Sequence, residues 1–359
     1  MTQHRVLIGD CIESMQKLQD QSVNTCVTSP PYFGLRDYGV DGQMGLEATP
    51  LEFVDALVAV FREVRRVLRD DGTLWLNLGD SYNAHPGQRK ETDKAGGKQQ
   101  SVRGSTASPS RSVAGIKPKD LIGIPWRVAF ALQDDGWYLR QDIIWSKPNP
   151  MPESTKDRCT KSHEYLFLLS KSPRYYYDQD AIKEPVALSS ITRLAQDLEQ
   201  QHGSDRVPGK TNGPMKAVRS KRDSFKRDDS KREQPIPGQS LGTHRPDREE
   251  SDWPLDTRNK RSVWTVPTKG FKGAHFATFP PDLIRPCILA GAPLGGVVLD
   301  PFGGAGTTAV VAMQEGRKSI LCELNPEYAA MAERRIAAAW LDGAAQMDVF
   351  RDTVQHPAA

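Results

Sequence analysis

This 359-residue sequence predicts an α/β fold with a mainly parallel, twisted sheet covered by helices on both faces. Three observations predict it. Short apolar strand-like runs alternate with amphipathic helical runs, the pattern left by crossovers between parallel strands. Near the C-terminal end the apolar run Gly296-Val297-Val298-Leu299 passes into the glycine-rich turn Asp300-Pro301-Phe302-Gly303-Gly304-Ala305-Gly306, and Thr307-Thr308 begins a helix. About twenty residues further on, a second apolar run, Ser319-Ile320-Leu321-Cys322, ends in Glu323.

The elements follow in order. Val6 to Ile8 reads as a strand and Ile12 to Leu18 as a helix. Val23 to Val27 is a strand that runs into Ser29. A helix from Pro50 to Leu68 carries Phe53, Val54, Leu57, Phe61, Val64 and Leu68 at helical spacing, and Asp71-Gly72 is expected to end it. Thr73 to Leu78 is the next strand. Pro125 to Leu132 is helical, and Tyr138 to Trp145 and Tyr165 to Leu169 are strand-like. After the glycine-rich turn, an alanine-rich helix runs from Pro326 to Trp340. Trp75, Trp126, Trp137 and Trp145 lie in apolar runs and are read as core, and Tyr175-Tyr176-Tyr177 as structural.

Two polar segments interrupt this pattern. Residues 84–117 hold almost no large apolar side chain and read as a flexible loop. Residues 185–261 carry the basic pairs Lys221-Arg222, Lys226-Arg227 and Lys231-Arg232, interleaved with acidic residues. The net charge of +3 permits a nucleic-acid partner without requiring one. The five cysteines (Cys11, Cys26, Cys159, Cys287, Cys322) have no C-x-x-C spacing, so reduced thiols and no metal site are expected. No secretory leader and no apolar run near ~18 residues is present, so a soluble cytoplasmic protein with no membrane contact is expected.

Chemistry enters at Thr28-Ser29-Pro30-Pro31-Tyr32, directly after an apolar strand. Prolines fix φ and donate no N–H, which leaves nearby carbonyls as free acceptors. Tyr32 sets a flat aromatic face beside them. Acceptors next to such a face suit a planar base with an exocyclic amino group. At the other end, Gly303, Gly304 and Gly306 allow close approach of a ligand, and Glu323 can accept from both hydroxyls of a ribose. No Gly-Lys-Ser/Thr follows the glycines, which excludes a P-loop. Asp300 at the mouth of the turn would repel a pyrophosphate but suits the cationic amino-acid end of S-adenosylmethionine.

The Ser29-Pro30-Pro31-Tyr32 and Asp300-to-Thr308 strings resemble the catalytic and cofactor motifs of S-adenosylmethionine-dependent DNA amino-methyltransferases. The catalytic motif comes first, the order of the β class. The resemblance covers residues 4–82, 118–184 and 262–338, and it implies a Rossmann-like methyltransferase fold with permuted motif order. Further segments match it: Asp10 closes a strand that approaches the cofactor adenine, His275, Phe276 and Thr278 pack around the methionine moiety, and Asn325 follows the ribose-binding acid. Asp300, Pro301, Phe302, Gly303, Gly304, Gly306, Thr307 and Glu323 complete the expected cofactor site. Residues 1–83 would then form the catalytic half, 84–117 a flexible loop, 118–184 its continuation, 185–261 a target-recognition region, 262–340 the cofactor half and 341–359 a tail.

The resemblance implies methyl transfer to an exocyclic nitrogen of a base flipped out of duplex DNA. Ser29 Oγ and the Pro30 carbonyl would accept from the amino group, and Tyr32, with Phe33, would stack on the base. In the family a serine at the first position goes more often with cytosine N4 and an acidic or amide residue with adenine N6, so N4-methylcytosine is expected, with N6-methyladenine as the alternative. A chain that keeps the fold but only binds nucleic acid, or acts on RNA, is an alternative of a different class; intact motifs argue against the first. Arg36 and Lys147 flank the expected site loops as candidate phosphate contacts. A cognate restriction endonuclease and a monomeric or homodimeric state fit the same reading. Ring-carbon methylation is disfavoured, because the prolines lead to Tyr32 and not to a cysteine.

Overall fold

The computed structural model describes residues 4–35, 37–83, 115–187, 257–268 and 279–355, the last stretch as backbone only from 342 onward. Along the chain come β1 (His4–Ile8), α1 (Cys11–Gln16), β2 (Val23–Thr28), α2 (Pro50–Val67), β3 (Leu68–Leu78) and α3 (Ile124–Asp134). Next are β4 (Tyr138–Ser146), β5 (His163–Ser170), β6 (Glu184–Pro185), β7 (Thr257–Arg258) and β8 (Val263–Thr265). The chain continues with α4 (Pro281–Gly291), β9 (Val297–Asp300), α5 (Thr307–Gln314), β10 (Lys318–Glu323) and α6 (Pro326–Gln355).

Contacts divide the chain into two units, Met1–Ile182 with Arg261–Ala359, and Lys183–Lys260. In the second, the described part is the β6–β7 ribbon, where Arg258 Nε pairs with Glu184 Oε1 at 3.0 Å. The first holds an eight-stranded sheet in the order β1-β10-β9-β2-β3-β5-β4-β8. Every neighbouring pair is parallel except those of β5, which runs antiparallel to both β3 and β4. The mainly parallel sheet expected from the alternation is present. The reversed strand was not anticipated, because an apolar run has the same local pattern in either direction.

Helices cover both faces. Along β3, Leu74, Leu76 and Leu78 face one core with Phe53, Leu57 and Phe61 of α2 and Val128 and Leu132 of α3. Trp75 faces the other, with Leu283, Cys287 and Ile288 of α4 and Trp264 of β8. Trp75, Trp137 and Trp145 are buried as expected, and Tyr177 stacks on Trp75. The start of α2 is secured by a capping box, in which Thr49 and Glu52 each accept from the other's backbone N–H, with Pro50 in the first turn.

Helix α2 stops at Val67, earlier than expected, and Asp71-Gly72 lies inside β3. Leu68 already pairs with Val23 of β2, so tertiary pairing pulls the chain into extended form before the expected stop.

Candidate active site

The strand directions bring several loops to one edge of the sheet. Parallel pairing places the C-terminal ends of β1, β10, β9, β2 and β3 side by side. Because β5 is reversed, its beginning lies there too: Tyr165 pairs with Leu78, and His163 pairs with Ser146 at the end of β4. A cavity of about 770 Å³ opens along this edge. It is lined by Asp10 after β1, Ser29, Pro30, Pro31 and Tyr32 after β2, and Asn77, Gly79 and Asp80 at the end of β3. Lys147 after β4, His163 and Glu164 of β5, Pro301, Phe302 and Gly304 after β9, and Glu323 and Asn325 at the end of β10 also line it. Ligands of open α/β sheets bind outside the carboxyl ends of the strands, as this position requires.

The glycine-rich turn divides its labour. Gly304 and Gly306 take positive φ (48° and 78°), favourable for glycine. A Cβ at Gly303 would stand 2.8 Å from Leu321 Cβ, and one at Gly306 2.9 Å from Ala332 Cβ, so these two glycines serve packing behind the turn and do not line the cavity. Thr307, at the start of α5, is likewise buried away from the cavity, where Arg335 Nη1 donates to its hydroxyl at 3.3 Å.

Asp300 differs most from expectation. It is fully buried and does not line the cavity. Its Oδ1 accepts from Thr28 Oγ1 at 2.6 Å and from Phe302 N at 3.1 Å, and its Oδ2 accepts from Thr308 Oγ1 at 2.6 Å. Burial pushes its carboxyl above the usual range, and these three donors pull it back. Asp300 therefore ties the ends of β2 and β9 to the start of α5, a contact with a ligand's ammonium being replaced by a strut within the fold.

Glu323 is placed to meet a ligand. Its Oε2 accepts from Gly304 N at 2.7 Å and its Oε1 from Asn325 N at 2.9 Å. One backbone donor on each oxygen leaves a lone pair on each, the acceptor set that a vicinal diol needs. Burial raises its pKa, which the backbone N–H groups of Asn325, Gly304 and Leu324 oppose. Asp10 caps α1 through Oδ1, which accepts from Ile12 N at 2.8 Å and Glu13 N at 3.0 Å; this leaves Oδ2 for a second partner. His275, Phe276 and Thr278 lie outside the described residues, as do Arg36 and most of 84–117 and 185–261.

On the other side of the cavity Tyr32 is held firmly. Its hydroxyl donates to Glu164 Oε2 at 2.7 Å, with Asn77 Oδ1 3.2 Å away, and its ring packs on Gly79. Glu164 Oε2 also accepts from Asn77 Nδ2 at 3.3 Å, and its Oε1 pairs with Lys147 Nζ. Burial and the Glu164 charge hold the Tyr32 phenol well above its usual pKa, while a hydrogen bond from Ser29 pulls it slightly down. Tyr32 is therefore a neutral donor at physiological pH. Lys147 also sits 4.3 Å from the Trp145 ring centre, and Lys161 Nζ donates to the Asp80 carbonyl at 2.6 Å. Phe33, expected as a second stacking ring, is buried against Phe53 at 5.6 Å between centroids.

Sequence reasoning missed Asn77 and Glu164. A polar residue at the end of the apolar run Thr73 to Leu78 was a usable signal for Asn77. Glu164 had no local signal, since its place depends on the direction of β5. Cys11 and Cys322 border the cavity, where burial pushes the Cys11 thiol up to about 12, and Cys26 is fully buried with its thiol pushed well up.

A family model for DNA methylases matches residues 23–334. The type II methyltransferase M.Cfr9I of Citrobacter freundii is 44% identical over 329 residues, 91% of this chain and 86% of that relative. M.SmaI of Serratia marcescens, also a type II methyltransferase, is 43% identical over 333 residues, 92% of this chain and 90% of the relative. Among solved structures, the PvuII DNA methyltransferase, described as cytosine-N4-specific, superposes with a TM-score of 0.54 at 17% identity, covering 93% of this chain and 90% of that one. A candidate DNA modification methylase of Thermus thermophilus, solved with S-adenosyl-L-methionine, gives 0.52 at 21% identity over 94% of both chains. These two likenesses confirm the Rossmann-like methyltransferase fold. With the family match spanning residues 23–334, and so most of the sheet and the loops after β2, β3, β4, β9 and β10 that frame the cavity, this chain belongs to the DNA methylase family.

Proposed function

We propose that the chain transfers a methyl group from S-adenosylmethionine to the exocyclic N4 of a cytosine flipped out of duplex DNA. One observation carries the reading: the Ser29-Pro30-Pro31-Tyr32 turn and the Glu323 end of β10 open into the same cavity. A nucleoside held at one end thus faces acceptors for an amino group at the other. Glu323 and Asp10 fit the hydroxyl and base edges of the cofactor, and Phe302 and Pro301 give it an apolar wall. The cofactor, when bound, supplies a methyl group on a sulfonium sulfur, an electrophile that needs no further activation.

The chain's own residues do the rest. An exocyclic amino nitrogen is a weak nucleophile, because its lone pair is delocalised into the ring. Ser29 Oγ and the Pro30 carbonyl accept hydrogen bonds from its two N–H groups and draw the nitrogen toward tetrahedral geometry, freeing the lone pair, and the proton that the new N–C bond displaces leaves to solvent on their side. Tyr32, held by Glu164, Asn77 and Gly79, borders the base pocket with a ring whose place is set by these contacts. Such placement matters because positioning supplies much of the rate in a displacement of this kind. The neutral serine hydroxyl at the first position supports cytosine as the base. The type II relatives support a modification role alongside a cognate endonuclease. DNA reading by 185–261 belongs to the same proposal, although residues 188–256 lie outside the described structure.

The test is product identity. Duplex DNA of mixed sequence, incubated with the protein and S-adenosylmethionine, is digested to nucleosides and analysed by mass spectrometry. N4-methylcytosine is expected. N6-methyladenine would overturn the base assignment but leave the site standing. Ser29→Ala and Tyr32→Ala should each reduce methylation with cofactor affinity intact, and near-normal rates in both would remove these residues from the chemistry.

A further inference from the structure

Met151 is the most exposed large apolar side chain among the described residues, at 83%, and it stands on the rim of the cavity. Its surroundings are unusual. Residues 147–152 read Lys-Pro-Asn-Pro-Met-Pro, so each is a proline or precedes one. Prolines fix φ, and residues before proline are confined to extended conformations. The segment is thus a stiff arm, which bends at Pro148 and Asn149.

The arm is also pinned. Lys147 N donates to the Ser162 carbonyl at 2.8 Å, and its ammonium pairs with Glu164. Asn149 Oδ1 accepts from Thr268 N at 2.9 Å, while its Nδ2 donates to the Thr268 carbonyl at 3.1 Å. Beyond the tip, Arg158 Nη1 pairs with Glu153 at 2.6 Å. Folding has therefore already met the entropic cost of presenting one flexible, polarisable side chain to solvent at the mouth of the cavity. Exposed Lys156 lies five residues beyond Met151 and supplies charge suited to phosphate.

Resting on the base-methylation reading above, we propose that Met151 enters the duplex in place of the extruded base. A base that leaves the stack costs its stacking and pairing, and leaves a hole between its neighbours. Apolar side chains, methionine among them, insert between base steps in other DNA complexes. Met151 is positioned to do so while its arm borders the cavity that receives the base. Leu35, 46% exposed on the same rim, is the competing residue; it follows Gly34 at φ 65° and lacks the proline bracket.

The experiment uses the full chain and two duplexes carrying the sequence that the wild type methylates, one with the target base correctly paired and one with it mispaired. Met151→Ala should slow single-turnover methylation of the paired duplex about tenfold, and the mispaired duplex should restore the rate to within about twofold of wild type. Met151→Leu should retain most of the rate on both, and melting temperature and cofactor affinity should not change. Equal loss on both duplexes, no loss on either, or the rescue pattern appearing with Leu35→Ala instead would overturn the proposal. A wild type that methylates no DNA at all would defeat the functional reading first, and the wedge with it.

Discussion

Replacing Gly79 by alanine tests the rigid placement of Tyr32 without touching the tyrosine. A Cβ at Gly79 would lie 2.4 Å from Tyr32 Cε2 and 2.9 Å from Cδ2. Carbon atoms pack best at about 3.5–4.0 Å, so the ring must retreat by about 1 Å. Gly79 has no positive φ, so alanine brings no backbone strain to confuse the result. The retreat carries the Tyr32 hydroxyl off its 2.7 Å bond to Glu164 and shifts the turn that holds Ser29 and Pro30. A displacement of about 1 Å in a positioning group can cost on the order of 100-fold in rate. The assay is single-turnover transfer from labelled cofactor, with cofactor affinity measured separately and expected to hold. In a Tyr32→Ala background there is no ring to displace, and Gly79→Ala should then add less than about threefold. Full activity of the single variant, or an equal loss in both backgrounds, would refute the argument that Gly79 acts through Tyr32.

Lys147 and Glu164 form a pair whose side chains are 17% and 14% exposed. Glu164→Leu alone should cost about 3 kcal/mol in denaturant unfolding, because it strands a buried ammonium, whereas the double change with Lys147→Met should recover only part of that, since the Tyr32 hydroxyl and Asn77 Nδ2 still lose their acceptor. Thr308→Val removes one of three donors to Asp300 and should destabilise the fold by about 1–3 kcal/mol at neutral pH. Burial holds the Asp300 carboxyl above its unfolded value, and losing a donor raises it further. The deficit should therefore be small where the carboxyl is protonated in both states, below its unfolded value, and grow as pH rises through the folded value, as denaturant titrations carried from the acid range to neutral pH will show. Glu323→Gln should weaken cofactor binding about 10- to 100-fold by calorimetry, through loss of a charged acceptor. Because burial raises the Glu323 pKa, wild-type affinity should fall as pH drops toward its ionisation, while the variant's affinity stays flat.

Much of this protein was legible in its amino-acid order, because the relevant constraints are local. Alternating apolar runs and helical spacing determined the elements, since burial of one face leaves a period in the chain. The two prolines after β2 and the glycines after β9 marked turns that few other residues can make, and Glu323 followed at the distance one crossover helix demands. What lay beyond local pattern was decided by tertiary structure. The apolar run of β5 could pair in either direction, and only its reversal brought Glu164 to Tyr32 and Lys147. Asp300 looked like a ligand residue from its place at the mouth of the turn, but Thr28 and Thr308 converge on it and close its carboxylate inside the fold. Phe33 was drawn into the core by Phe53 for the same reason. Thr28 lies 272 residues from Asp300 and Glu164 lies 132 from Tyr32, so no local window of sequence holds these pairs together.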